Sequence, residues 1–225
     1  YDMSKYLVGE SSTGSINQMS WLLSIYYGIS IVSLIINILI YRATSSKMSR
    51  YPKADDLNIK DCIMKNGYAP DLCEVLISDG MLSPATFGIL KPKIIIPRNL
   101  LSEDDKKMNY ILIHEVTHIR RRHNLISVIA KGILCFYWFN PFLWLLYKLL
   151  DDDMEMSADE EVISRLGENE KKNYAAYLLS MFDITGSTLK QFSGGKSIMK
   201  RIKRINFYKS ISKVSNFTVV FIGLL

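Results

Sequence analysis

Two histidines and a glutamate have the spacing of the H-E-x-x-H motif, which is typical of zinc proteases: His114, Glu115 and His118. Residues four apart on a helix share one face, so both imidazoles can reach a single metal ion. The glutamate then projects beside the metal, where it can take a proton from water. The pattern predicts metal-assisted hydrolysis of peptide bonds. The alternative is a surface helix that carries two histidines by chance.

A catalytic zinc ion usually has three protein ligands, so the motif needs one more. The chain has three histidines, and on a continuous helix the third, His123, would point about 140° away from His118. It is therefore not expected to share the ion. The three cysteines lack C-x-x-C spacing, which argues against a thiolate site. We expect a carboxylate from a later segment to complete the site.

A helix after the motif offers that carboxylate. Asn140 followed by Pro141 predicts its start, and Gly167 predicts its end. Glu155 and Asp159 lie four apart on it and face the same way, so Glu155 can be the third ligand while Asp159 accepts a hydrogen bond from a ligand imidazole. Other carboxylates leave the choice open, because this stretch could also be a solvated acidic face. These carboxylates are Asp151, Asp152, Asp153, Glu160 and Glu161.

The motif helix is predicted from about Glu103 to about His123, with Ser102 as its N-cap. Three short strands are predicted before it, from Glu74 to Asp79, Ala85 to Leu90 and Lys93 to Pro97. The isoleucine run closed by Pro97 indicates an edge or final strand. Many zinc proteases bind substrate as an added strand beside such an edge. A small sheet that only covers the helix is an equal alternative.

Apolar runs predict membrane spans. Residues 19–42 contain about 20 uncharged residues in sequence, which is enough to cross a bilayer, and residues 214–225 resemble the start of another span. Between these runs lie 27 of the 28 lysines and arginines, which indicates that residues 43–213 face the cytoplasm. Residues 1–18 are then an extracellular loop. Because the chain begins with Tyr and not Met, we expect a fragment of a longer multi-pass protein.

Residues 124–150 form another apolar stretch, interrupted by Lys131 and by Asn140-Pro141. Each half is short for a crossing, so this stretch is predicted to be membrane-associated or re-entrant, with a buried pair of core helices as the alternative. The formal net charge of +6 is expected from positive-inside topology and attraction to anionic lipid. No nucleic-acid reader motif occurs, so no direct nucleic-acid partner is expected.

The order of these features resembles the BlaR/MecR family of integral-membrane zinc metallopeptidases, the signal transducers of inducible beta-lactam resistance. The residues that carry the resemblance are the span, the segment 87–97 (FGILKPKIIIP), His114-Glu115-x-x-His118, Asn140-Pro141 and Glu155-x-x-x-Asp159. The implied fold is a membrane α-helical protein with an α+β gluzincin zinc-metalloprotease domain, in which a small β-sheet accompanies the H-E-x-x-H helix. One departure is Ala158, where we expect Cys in typical members.

The resemblance implies a Zn²⁺ ion held by His114, His118 and Glu155, with Glu115 as the catalytic base. It also implies a multi-pass protein of the bacterial cell membrane whose protease domain faces the cytoplasm. Such a protein would have the lipid bilayer and a cytoplasmic transcriptional repressor as partners, the repressor being its substrate, and a homodimer stays open. Family members also carry an extracellular penicillin-binding sensor domain after the last span, which these 225 residues do not include.

Self-cleavage is a further implication of the resemblance. We place it near Gln191 and Phe192, with Phe192 entering an apolar pocket, in a segment that resembles the family's linker before its last span.

Two other functions fit the same H-E-x-x-H motif. A quality-control membrane protease of the Ste24/HtpX type would degrade many misfolded membrane proteins instead of one repressor. A non-proteolytic sensor scaffold would use its bound zinc structurally.

Overall fold

Helices dominate the computed structural model, which describes residues 10–54, 57–69, 72–101, 104–186 and 194–207. The helices are α1 (Glu10–Met48), α2 (Leu57–Lys65), α3 (Asp105–Arg120), α4 (His123–Phe136), α5 (Pro141–Leu166), α6 (Lys171–Gly186) and α7 (Gly194–Phe207). The strands are β1 (Glu74–Ser78), β2 (Ala85–Phe87) and β3 (Lys93–Pro97). Short 3-10 helices cover Arg98–Leu100 and Glu168–Glu170. The expected combination of helices with a small sheet is confirmed.

The three strands form one mixed sheet in the order β1-β3-β2, with β1 parallel and β2 antiparallel to β3. Of the two predicted positions for β3, the edge strand is therefore wrong, whereas β3 is the final strand along the described chain. Its three isoleucines are fully buried, so both faces of the sheet are covered at this strand. The outer edge of β1 is covered by backbone hydrogen bonds from the segment before α2. The outer edge of β2 pairs with no strand in the described part of the chain.

Strand β2 is also shorter than predicted, because the chain turns at Gly88. That residue has φ +94°, in the region where a side chain causes strain. A Cβ atom at this position would lie 2.5 Å from the carbonyl oxygen of Lys91. Asn124, at the start of α4, donates a hydrogen bond of 3.3 Å to the Gly88 carbonyl and so ties the end of β2 to α4.

Helix α3 lies in the centre of the core, where it contacts α2, β2, α4 and α5. Its inward face is apolar, as the i, i+3, i+4 pattern predicts. The core residues include Ile63, Ile94, Ile96, Ile111, Leu112, Val116, Val162, Ile163 and Leu178. The predicted N-cap, Ser102, lies outside the described residues, and Asp104 precedes the first helical residue.

Helix α5 has the ends that its sequence predicts. The Asn140 side chain accepts a hydrogen bond of 3.0 Å from the backbone N–H of Phe142, and Pro141 occupies the first helical position. Gly167, with φ +97°, ends the helix. Large apolar side chains at the α4–α5 junction stay exposed, and Phe142 is 78% exposed. The alternative of a buried pair of core helices is therefore wrong for this end of the stretch.

Helix α1 extends beyond the predicted span of residues 19–42. Residues Met19–Met48 are long and apolar enough to cross a membrane, and residues 10–18, predicted as part of a loop, are helical. Most of its large apolar side chains are exposed, unlike those of a core helix. Helix α1 contacts α4, and the Tyr26 hydroxyl donates a hydrogen bond of 2.6 Å to the carbonyl of Phe136. Residues 214–225 lie outside the described part of the chain.

A left-handed residue separates α3 from α4. Arg122 has φ 54° and ψ 36°, so the predicted continuous helix to His123 is wrong. Helix α3 ends at Arg120 and α4 begins in a new direction at His123. The left-handed conformation costs a non-glycine residue about 1–2 kcal/mol.

Substitutions at Arg122 test this turn. Arg122→Gly is expected to keep the free energy of unfolding or raise it by about 1 kcal/mol, because glycine enters the left-handed region without steric cost. Arg122→Val is expected to lower it by about 1–2 kcal/mol, because a β-branched residue is disfavoured there. Chemical denaturation of the chain in detergent, followed by circular dichroism, measures both. Equal stability of the two variants would contradict the assignment.

Candidate metal centre

Three predicted ligands converge between α3 and α5. His114 Nε2 and His118 Nε2 are 3.2 Å apart. The Glu155 carboxylate faces both rings, with Oε2 at 3.6 Å from His114 Nε2 and Oε1 at 3.7 Å from His118 Nε2. Helix α3 provides the two histidines one turn apart, and α5, which packs against α3, provides the glutamate. The structure thus brings together residues from two distant parts of the sequence.

The separations between the two imidazole nitrogens and the two Glu155 oxygens are close to those of ligand atoms around a zinc ion. Zinc binds nitrogen and oxygen at about 2.0–2.2 Å with tetrahedral geometry, so neighbouring ligand atoms should be about 3.3–3.6 Å apart. The observed separations are 3.2, 3.6 and 3.7 Å. Two imidazoles and one carboxylate form a common ligand set for catalytic zinc. Among the described residues, these three are the group of His, Cys, Asp and Glu side chains that could hold a metal ion.

Asp159 lies behind His114, as the four-residue spacing from Glu155 predicts. Its Oδ1 is 3.2 Å from His114 Nδ1 and also accepts a hydrogen bond of 2.7 Å from the Tyr174 hydroxyl. Tyr174 Oη is itself 3.2 Å from His114 Nδ1. An Nδ1–H directed at this carboxylate leaves the Nε2 lone pair for a metal. The sequence carried no motif that could have identified Tyr174, which lies on α6.

Arg201 neutralises both carboxylates. Its Nε and Nη2 donate to Asp159 Oδ2 and Oδ1 at 2.7 and 2.6 Å, and its Nη1 is 3.0 Å from Glu155 Oε2. The side chains of Arg201 and Asp159 are 16% and 3% exposed. Sequence reasoning missed Arg201 because it lies 42 residues after Asp159, in a basic run that was attributed to membrane topology. Fork-shaped pairing of this kind distinguishes Arg from Lys.

Burial and charge pairing shift the pKa values of the candidate ligands in different directions. Burial alone would lower the pKa of His114, but the hydrogen bonds to Asp159 and Glu155 outweigh it and raise that pKa to about 9. Burial would raise the pKa of Glu155, yet His114 and Arg201 lower it to about 2. Burial and the nearby His114 lower the pKa of His118 to about 3, so this ring is neutral and has a lone pair available. An ionised carboxylate and a neutral imidazole are the forms of these side chains that bind a metal ion.

Glu115 is placed beside the candidate ligands in a dry environment. It is 8% exposed. Burial, the largest influence, together with the negative charge of Glu155, raises the pKa of Glu115 to about 7. A carboxylate with a pKa near neutrality can both accept and donate a proton.

The neighbouring carboxylates have other partners. Asp152 binds Lys200 at 2.6 Å, and Glu161 interacts with Arg121 and Arg165. Asp151 lines the cavity described below but does not converge with the two imidazoles. These contacts separate Glu155 from the acidic residues around it, which the sequence could not do.

His123 lies beside His118, with 2.9 Å between their Nδ1 atoms. The expectation that His123 points away from this ring is therefore wrong. The helical rotation on which it was based ends at the Arg122 turn. His123 is not among the converging ligand atoms, so it contacts a candidate ligand without joining the ligand set.

Gln191 and Phe192, the predicted self-cleavage site, lie outside the described residues.

A cavity of about 420 Å³ opens over the candidate ligands. Its lining includes residues 83–86, which contain the start of β2, and apolar residues of α6 and α7. Leu178, Met181 and Ile198 are among these apolar residues. The candidate metal site thus faces a space that is large enough for a peptide segment.

Comparison with known proteins agrees with this geometry. The family described as BlaR1 peptidase M56 matches residues 8–205, which is most of the chain. The chain belongs to this family. The resemblance to BlaR/MecR proteins is therefore confirmed, and a peptidase activity is supported at the level of the family.

Individual members of the family show how much of the chain is shared. Regulatory protein BlaR1 of Bacillus licheniformis is 34% identical over 124 residues, covering 54% of this chain and 21% of the relative. Regulatory protein BlaR1 of Staphylococcus aureus is 27% identical over 221 residues, covering 94% and 38%. The methicillin resistance mecR1 protein of S. aureus is 24% identical over 162 residues, covering 69% and 28%. The chain thus spans well under half of these relatives. Their names and the apolar helix α1 support membrane association.

Removing the charge of Arg201 tests its role in the site. Arg201→Met leaves the buried carboxylate of Asp159 without its guanidinium partner, so we expect a loss of about 3 kcal/mol in the free energy of unfolding without metal. Added zinc should restore part of this loss, because the ion replaces positive charge. Arg204→Met on the same helix, where the side chain is 51% exposed, is the control and should change stability by less than about 0.5 kcal/mol. Similar losses in both variants would contradict this role.

Proposed function

We propose that this chain is the zinc metalloendopeptidase part of a membrane signal transducer. In this proposal it cleaves itself and a cytoplasmic transcriptional repressor, as in inducible beta-lactam resistance. The observation that carries the proposal is the convergence of His114, His118 and Glu155 within 4.8 Å of one another, beside Glu115. The family match and the regulatory names of its relatives support the signalling role.

The residues that would hold the metal are His114 and His118 through Nε2 and Glu155 through its carboxylate. A bound zinc ion supplies Lewis acidity, which lowers the pKa of water toward 7 and polarises a carbonyl oxygen. Asp159 and Tyr174 fix the ring of His114 from behind. Arg201 holds Glu155 and Asp159 in place through its three hydrogen-bonding nitrogens. The ligand geometry is thus maintained by side chains from α5, α6 and α7.

Glu115 is the proposed proton carrier. It accepts the proton that water loses in attacking the scissile carbonyl, and it then donates that proton to the leaving amine. Both steps require a carboxyl group that changes protonation easily, which its burial provides. The cavity walls keep bulk water away from the reacting groups, which strengthens the electrostatic interactions inside.

The outer edge of β2 is the proposed binding site of the substrate. Ser83, Pro84, Ala85 and Thr86 line the cavity, and the outer edge of β2 has no strand partner among the described residues. An extended peptide added there would form main-chain hydrogen bonds and pass over the candidate ligands. The apolar residues of α6 and α7 that line the cavity would accept a hydrophobic side chain. The sequence assigned this role to β3, which the structure places in the centre of the sheet.

The proposed topology follows from charge and apolar exposure. Helix α1 would cross the membrane, residues 43–213 would face the cytoplasm, and residues 214–225 would begin the next span. The exposed apolar residues around the α4–α5 junction would contact lipid as a membrane-associated or re-entrant hairpin. The proposed partners are the lipid bilayer and the repressor. The family match favours this function over the Ste24/HtpX-type alternative, from which cleavage of one repressor would distinguish it.

Replacing Glu115 separates metal binding from catalysis. Glu115→Ala should keep about one zinc ion per chain but abolish cleavage, because the three ligands remain and the proton carrier is lost. Zinc content by atomic absorption and cleavage of a candidate repressor on a gel measure the two properties. Asp105→Ala, an exposed position on the same helix, is the matched control and should behave as the parent. Full activity of Glu115→Ala would overturn the role, and the absence of zinc from the parent chain would overturn the metal site.

Self-cleavage near Gln191 and Phe192 stays a prediction. Phe192→Asp should slow self-processing because a charged side chain is disfavoured in an apolar pocket. Phe207→Asp, at an exposed position on α7, should be processed as the parent. Fragment sizes on a gel during expression report the outcome, with Glu115→Ala as the uncleaved reference. Unchanged processing of Phe192→Asp would remove this site from the proposal.

A further inference from the structure

A short chain of hydrogen-bonding groups leads away from the candidate ligand His118. His118 Nδ1 and His123 Nδ1 are 2.9 Å apart. On the other side of the His123 ring, Nε2 is 3.4 Å from Ser157 Oγ. The Ser157 hydroxyl in turn donates a hydrogen bond of 2.9 Å to the carbonyl of Met154. His123 is buried, so water does not readily replace these contacts.

We propose that His123 is a positioning residue of the metal site. Its Nδ1 accepts a hydrogen bond from the Nδ1–H of His118 and so fixes the tautomer and the ring orientation in which His118 Nε2 faces the metal. This inference rests on the proposed function, because it assumes that His118 is a ligand. His123 is not among the converging candidate ligand atoms, so it acts on the metal site through His118.

The tautomers follow from the geometry. Two ring nitrogens at 2.9 Å need one hydrogen between them, so one donates and the other accepts. If His118 Nε2 is to offer a lone pair to a metal, its hydrogen must be on Nδ1, which makes His118 the donor. His123 Nδ1 is then the acceptor, and the His123 hydrogen is on Nε2, directed at Ser157 Oγ. Because that hydroxyl donates to Met154, its oxygen is free to accept.

The backbone explains how His123 reaches this position. The left-handed Arg122 ends α3 and lets α4 start at His123, next to the last turn of the motif helix. Ser157 lies on α5 two residues after the candidate ligand Glu155. The contacts therefore connect the first residue of α4 to the two helices that supply ligands. The two candidate ligand histidines differ in this respect, because His114 has the charged Asp159 behind it and His118 has a neutral ring.

Substitution of His123 by Asn or by Gln tests whether His123 acts as a hydrogen-bond acceptor or only fills space, because the two amides are similar in size. The side-chain oxygen of Asn can take the place of a histidine Nδ1, whereas the longer Gln places its amide where Nε2 was. His123→Asn should therefore bind zinc within about threefold of the parent, and His123→Gln and His123→Ala should bind it about 10- to 100-fold more weakly. Affinity is measured by competition with a chromophoric zinc chelator, using the full chain in detergent. Cys135→Ala, a buried change on the same helix, is the control for general loosening of α4.

The outcomes are distinguishable. A parent chain that binds no zinc would overturn the proposed metal site itself. A parent that binds zinc, with the Asn and Gln variants equally tight or equally weak, would overturn only the role of His123. Thermal unfolding of each variant shows which of them are folded. If the alanine variant does not fold, the ratio of the Asn and Gln affinities still decides the question.

Discussion

Pairing of two neighbouring carboxylates with positive charge is the constraint on which this site depends. Glu155 and Asp159 lie on one face of α5, where Asp159 is buried and the Glu155 side chain is 34% exposed, and an uncompensated charge on Asp159 would cost several kcal/mol. The structure compensates them with Arg201 from α7 and with the ring of His114 from α3. A bound metal ion would add positive charge beside the same two carboxylates. The position of α7 against α5 therefore matters to the candidate ligands as much as the motif helix does.

Side chains from four helices therefore form the site. Helix α3 supplies the two imidazoles and Glu115, α5 the carboxylates, α6 the Tyr174 hydroxyl and α7 the guanidinium. The small sheet contributes an edge strand that lines part of the cavity. Candidate ligands, supporting groups and cavity lining thus come from separate elements, and their mutual packing sets the distances between them.

Local sequence patterns predicted much of this structure. The Asn140-Pro141 start and the Gly167 end of α5 follow from capping, which depends on neighbouring residues only. The grouping of Glu155 with the motif histidines was expected from spacing and family resemblance. Two features of the structure could not be predicted from neighbouring residues in the sequence. Arg122 breaks a helix without a glycine or proline, so His123 was placed on the wrong side.

The second feature was the position of β3 in its sheet. Pro97 at its end indicated an edge or final strand, yet the proline lies opposite Ser78 of β1 at the end of β3, and β2 pairs with the residues before it. Arg201 was missed for a related reason, because long-range charge pairing cannot be read from a basic run. Such contacts are determined by tertiary packing, which overrides the tendencies of short segments.

Helix α4 contacts both the apolar helix α1 and the candidate metal centre. Its last residues contact α1 through Phe136 and Cys135, while its first residue, His123, touches a candidate zinc ligand. A helix of 14 residues is a stiff rod about 21 Å long. The apolar helix α1 and the candidate metal centre are therefore connected by one stiff element with no intervening loop, and a rigid displacement of α4 would change its contacts with both.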